Sequence, residues 1–120
     1  MDKVQALNDF WNGFNLKAYD AISVPDEAEM PYITYEVSTD SFGQQLSQTA
    51  SIWYRTGSWK EVQQKEMEIA DYIGRGGLMI QYDDGAVWLR KGTPWAMRIV
   101  GEGDEYVRRI ALNVEVEFID

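Results

Sequence analysis

Four stretches of the sequence carry side chains whose types and spacing suit chemistry. Asp83-Asp84 is a carboxylate pair of the kind that shares a proton in acid–base work or holds Mg²⁺. Gly74-Arg75-Gly76-Gly77 has the glycine density of a phosphate-cradling loop. Asp26, Glu27 and Glu29 gather oxygens suited to Ca²⁺. Glu61, Glu66 and Glu68 would be the acidic half of a di-metal site on a helix.

Each has a plainer reading. Gly85 follows the aspartate pair and makes it the tip of a tight hairpin. The glycine run closes a predicted helix, whereas phosphate binds where a helix opens and its amides point outward. The Asp26–Glu29 stretch lacks the alternating ligands and central glycine of an EF-hand, and reads as a solvated connector. The glutamate trio has no histidine to complete it; Glu66 falls near an apolar stripe and reads as an edge residue reaching for water. The chain has no His and no Cys, which removes the usual neutral-pH base, thiolate nucleophiles and the commonest metal ligands. No nucleophile elbow, P-loop or dinucleotide fingerprint occurs. The sequence predicts a non-enzymatic protein with no catalytic residues, metal or cofactor.

The elements that must position these residues read in order. Residues 1–19 form a predicted amphipathic helix with Val4, Leu7, Trp11 and Phe14 on one side and Asp2 near its start. Residues 32–55 form a predicted hairpin, strands Tyr32–Val37 and Ser47–Arg55 flanking a long loop, Ser38–Leu46. Residues 58–74 form a second helix, opened by a Ser58–Glu61 capping box and striped by Trp59, Val62, Ile69, Ala70 and Ile73. Residues 78–119 hold the remaining strands: Leu78–Tyr82, Ala86–Arg90, then a loop over Lys91–Trp95, Ala96–Val100, and the terminal run. In that run every even position from Tyr106 to Phe118 except Arg108 is apolar or aromatic, a two-residue period that marks a strand with one buried face. With no βαβ alternation, the order predicts a single α+β domain, 1–120: a mainly antiparallel sheet of five or six strands with both helices on one face.

The surface carries the functional signal. At 120 residues the chain buries a core of ordinary size, yet it holds 5 Trp and 7 Tyr. Trp53 has Ser51 and Arg55 as same-face neighbours, Phe42 and Trp95 sit in predicted loops, and the polar face of the last strand mixes Arg109, Glu115 and Glu117. Aromatic residues and Met97 on polar-looking faces point to a partner surface. The residues expected at a partner interface are Phe42, Trp53, Trp95, Met97, Arg109, Glu115 and Glu117. A net charge of −9 argues against a nucleic-acid-binding surface and suits one that DNA slides past. No run approaches a membrane span and no secretory leader is visible, so the expected site is the cytoplasm, with no membrane partner.

Together, PYITYEV, SIWYRTGSWKEV, GRGGLMI, GAVWLRKGTPWAM and RIALNVEVEF resemble the tail terminator, or tail-to-head joining, proteins of long-tailed bacteriophages and prophages of Gram-positive bacteria. The resemblance spans Pro31 to Phe118. It implies an α+β subunit in a six-fold ring at the virion's head–tail junction, which stops tube growth and offers a docking face to the head. The implied partners are further copies of the chain, the major tail tube protein, the head connector, and genomic DNA passing through without specific binding. Many weak contacts become strong when a ring closes on a preformed tube, so a free monomer is compatible with this role. Two other readings compete: a head-completion or neck connector, and a small-ligand-binding α+β domain.

Overall fold

The computed structural model describes residues 1–39, 45–101 and 103–120, so Phe42 lies outside the described residues. The chain runs α1 (Lys3–Trp11), β1 (Lys17–Asp20), β2 (Tyr32–Tyr35), β3 (Gln45–Arg55), α2 (Lys60–Ile73), β4 (Leu78–Tyr82), β5 (Gly85–Ile99) and β6 (Val107–Ile119). The strands form one sheet in the order β1-β2-β3-β6-β5-β4. Only the β1–β2 pair is parallel, so the sheet is mixed, and it curls into a half-barrel. The class is α+β, as the element pattern predicts.

The alternation at the end of the chain builds the centre of this sheet. Ile110, Leu112, Val114, Val116 and Phe118 of β6 are buried, with Ile52 of β3 and Val87 and Leu89 of β5 beside them. Leu7, Phe10 and Trp11 of α1 and Val62, Ile69 and Ile73 of α2 close the same core. Both helices therefore cover one face, and Phe10 and Phe14 touch Tyr72 of α2 at ring separations of 6.1 and 5.5 Å. A core shared this widely supplies most of the stabilisation, since each buried aliphatic or aromatic side chain contributes about 1.5–3 kcal/mol.

The first helix is shorter than its apolar spacing suggests. Asp2 caps it, its carboxylate accepting the Gln5 amide at 2.8 Å, but it ends at Trp11. Gly13 and Asn15, the latter at φ 60°, reverse the chain and free Lys17–Asp20 to join the sheet as β1. Residues 12–19 are thus a turn and a strand rather than the helix expected over 1–19, and Val4 is 47% exposed instead of lining the core. Asn12 does double duty: its Oδ1 accepts the Ala18 amide at 2.9 Å and its Nδ2 donates to the Ala18 carbonyl at 3.4 Å.

Two further local readings change. Lys91–Trp95, expected as a loop between strands, lies within β5, whose register with β6 shifts between Lys91 and Ala96. Pro94 cannot donate to a ladder, so the strand bulges there instead of ending, and Asn113 Nδ2 donates to the Pro94 carbonyl at 2.8 Å. The capping box expected over Ser58–Glu61 does not form, because the N-cap of α2 is Trp59, which makes no side-chain cap bond. Ser58 Oγ accepts the Lys60 amide at 3.1 Å, but the Ser58 amide donates to Thr56 Oγ1 at 3.3 Å, leaving no donor for Glu61 to satisfy. Gly74, at φ 78°, closes α2 as a C-cap glycine does, and Asp83-Asp84 forms the two-residue tip between β4 and β5.

Candidate interaction surface

The face of the sheet away from the helices has no layer over it among the described residues, and strand register decides what stands on it. Tyr32, Trp53, Arg109 and Ile99 are successive register partners across β2, β3, β6 and β5. Toward the other end of the strands, Gln45, Glu117, Trp88 and Met79 form a second cross-strand row. Ser47, Glu115 and Arg90 form a third beside it. Between these rows lie small side chains, Thr49, Ser51 and Ala111, with Met97 opposite Ala111.

Each end of the face is organised by an arginine stacked on a tryptophan. The Arg109 guanidinium lies 4.6 Å from the Trp53 ring centre, and its Nε donates to Ser51 Oγ at 3.0 Å. Trp53 is held from below, its Nε1 donating to Thr34 Oγ1 at 2.9 Å, and its ring continues into Tyr32 and then Tyr19 at 6.4 and 5.8 Å. At the other end Arg90 stacks on Trp88 at 4.0 Å. Its Nη2 stands 3.6 Å from Glu117 and its Nε 3.9 Å from Glu115, which also accepts from Gln45 Nε2 at 2.9 Å. Stacks of this kind contribute about 0.5–1 kcal/mol at an exposed site. Their larger consequence is order, because side chains already fixed lose less freedom when a partner covers them.

The turn between β5 and β6 borders this face. Asp104 accepts the Tyr106 amide at 2.9 Å and Arg55 Nη1 at 2.6 Å, and these two bonds hold its carboxyl below the usual carboxylate range. Behind the turn, Arg108 stacks 5.5 Å from Trp59 and donates to the backbone carbonyls of Gly57, Glu105 and Val107. That explains the one polar residue in the apolar row of the terminal strand. Tyr106, counted with that row from its even position, precedes the strand and is 56% exposed.

Of the residues predicted for an interface, Trp53, Arg109, Met97, Glu115 and Glu117 share this open face. Trp95 does not. It belongs to β5 rather than a loop and packs against the core on the helical side, its Nε1 donating to Glu66 Oε2 at 2.9 Å. The same bond explains Glu66, whose place near the apolar stripe suggests an edge residue reaching water. It is instead buried, and takes a second bond from Gln63 Nε2 at 2.5 Å. Tyr19 escapes a sequence reading because it falls in the expected helix. Trp88 and Arg90 are legible in hindsight as the positions alternating with buried Val87 and Leu89.

Among the described residues no group of three or more His, Cys, Asp or Glu side chains is placed to hold a metal ion, and no helix is long and apolar enough to cross a membrane. The fold and surface together define a class: a small α+β domain that buries one face of a mixed sheet under two helices and leaves the other set with aromatic–arginine stacks. No family model matches the chain, and no curated protein matches it. Among solved structures the fold is shared with a chain from the virion of a native gene transfer agent particle, with a TM-score of 0.52 and 17% identity over 98% of this chain and 85% of that one.

Proposed function

We propose that the protein is a structural component of a phage-like particle, and within it the tail terminator that joins tail to head. On this reading copies of the chain close into a ring on the finished tail tube, stop its growth and offer a docking face to the head connector. The observation that carries the proposal is the fold likeness to a virion chain along nearly the whole length of this one. The ordered open face adds to it. A ring needs two unlike surfaces on each subunit, and Trp53, Arg109 and Met97 beside Arg90, Glu115 and Glu117 supply one of them. The net charge of −9 suits a channel through which DNA passes without sticking.

Electron microscopy of particles assembled without the protein tests the role. Overlong tails, or tails detached from heads, are the expected result. Tails of normal length alongside heads that lose their DNA would assign the chain to the neck instead.

A further inference from the structure

We infer that the outer edge of β4 is a docking site for one extended, cationic segment of a different polypeptide, added to the sheet as a further strand. The argument begins with the hairpin. A two-residue tip makes Tyr82 and Gly85 a hydrogen-bonded pair, so Ile80 and Leu78 also turn their backbone groups toward β5. Met79 and Gln81 then point their N–H and C=O groups away from the sheet. Among the described residues nothing bonds to those groups.

The opposite edge of the sheet is treated differently. There the Asn12 carboxamide takes both the N–H and the C=O of Ala18, as a neighbouring strand would. Plugging an edge in this way prevents strand addition, and β4 has no such plug. Its inward-facing Leu78 and Ile80 are only half buried because the sheet stops beside them. Tyr72 and Met79 next to them are 61% and 50% exposed. Between α1 and β4 this leaves a groove of about 370 Å³ lined by Ala6, Asp9, Phe10, Tyr72, Leu78 and Ile80. A strand laid along β4 would send alternate side chains into that groove and complete the backbone ladder, the usual economy of strand addition.

Charge selects the occupant. Asp9 lies in the groove and Asp83 and Asp84 stand at the hairpin end, with the Met1 ammonium paired to Asp83. The edge is therefore anionic, and the fitting segment alternates Lys or Arg with apolar residues. A second copy fits poorly. Its β1 edge is plugged, and β4 beside β4 would bring together two edges of the same net negative sign. The inference rests on this edge alone and does not depend on the tail-terminator role.

The test is a nitrogen-15 NMR titration of the whole chain with a short blocked peptide alternating Lys and Val. The amides of Met79 and Gln81 should shift and become protected from exchange, while a Glu/Val peptide leaves them unchanged. Gln81→Pro removes an outward donor without touching the β4–β5 ladder and should weaken binding about tenfold. A Lys/Val peptide N-methylated on its pairing side should lose binding to the unaltered chain, which keeps the test sound if the proline variant misfolds. Unmoved amides overturn the inference, as does equal binding of the acidic peptide. So does undiminished binding of the N-methylated peptide, or a free chain that dimerises through β4.

Discussion

Arg108 interrupts an apolar row because its guanidinium serves three backbone carbonyls that a hydrocarbon side chain would leave to fend for themselves. It ties the entry to α2, at Gly57, to the turn before β6, at Glu105. Arg108→Leu should therefore lower stability by about 1.5–3 kcal/mol in denaturant unfolding, and Arg108→Lys should not restore it, since an ammonium lacks the planar fork. Asp104 offers a pH test at the same turn. Its folded-state pKa is lowered, so the unfolded chain binds a proton first as pH falls. Its contribution is complete above the ordinary carboxylate range and disappears as pH drops through that range and below. The protection of the turn's amides, taken relative to their intrinsic exchange rates at each pH, should fall through that range in the native chain, and Asp104→Asn should abolish the dependence.

At the scale of elements, the two edges of the sheet carry opposite instructions. Asn12 ends α1, and its side chain then closes β1, so one residue stops a helix and guards a strand. Asn12→Ala should cost about 1–2 kcal/mol, by leaving Ala18 unpaired, and should make the protein self-associate with rising concentration in light scattering. The β4–β5 side is fixed differently. Gly77 sits at φ 91° with room for no Cβ, which would come within 2.6 Å of the Leu89 carbonyl oxygen and of Trp88 Nε1. That approach lets the Trp88 indole donate to the Gly76 carbonyl at 3.1 Å, so the glycine run after α2 presents Trp88 to the open face.

For the whole molecule, the division between a helix-covered face and an open one separates the core from the surface proposed for assembly. Met97 is 50% exposed on the open face, so Met97→Asp should change monomer stability by less than about 0.5 kcal/mol. If the face joins subunits or tube, the same substitution should leave tails uncapped or overlong in electron micrographs. Normal tail lengths with Met97→Asp and with Arg109→Glu would remove the face from the proposed interface. Trp95 needs a separate expectation. Its bond to buried Glu66 means that Trp95→Asp damages the fold before it reports on any partner.

The sequence by itself determined what local periodicity can encode: the terminal strand with its buried even positions, the second helix with its glycine stop, the aspartate hairpin, and the α+β class. Those features depend on neighbours a few residues apart, which is the range over which helix and strand periods are written. What only the tertiary structure decided depends on pairing between distant segments. Lys17–Asp20 becomes a strand because β2 lies ready beside it, Lys91–Trp95 stays in a strand because β6 runs past, and Trp95 turns inward because Glu66 waits on α2. The open face was legible as a list of surplus aromatics and mixed charge. It became a surface only when register set Trp53 beside Arg109 and Trp88 beside Glu117, since contacts across a sheet are chosen by strand order, which no single segment carries.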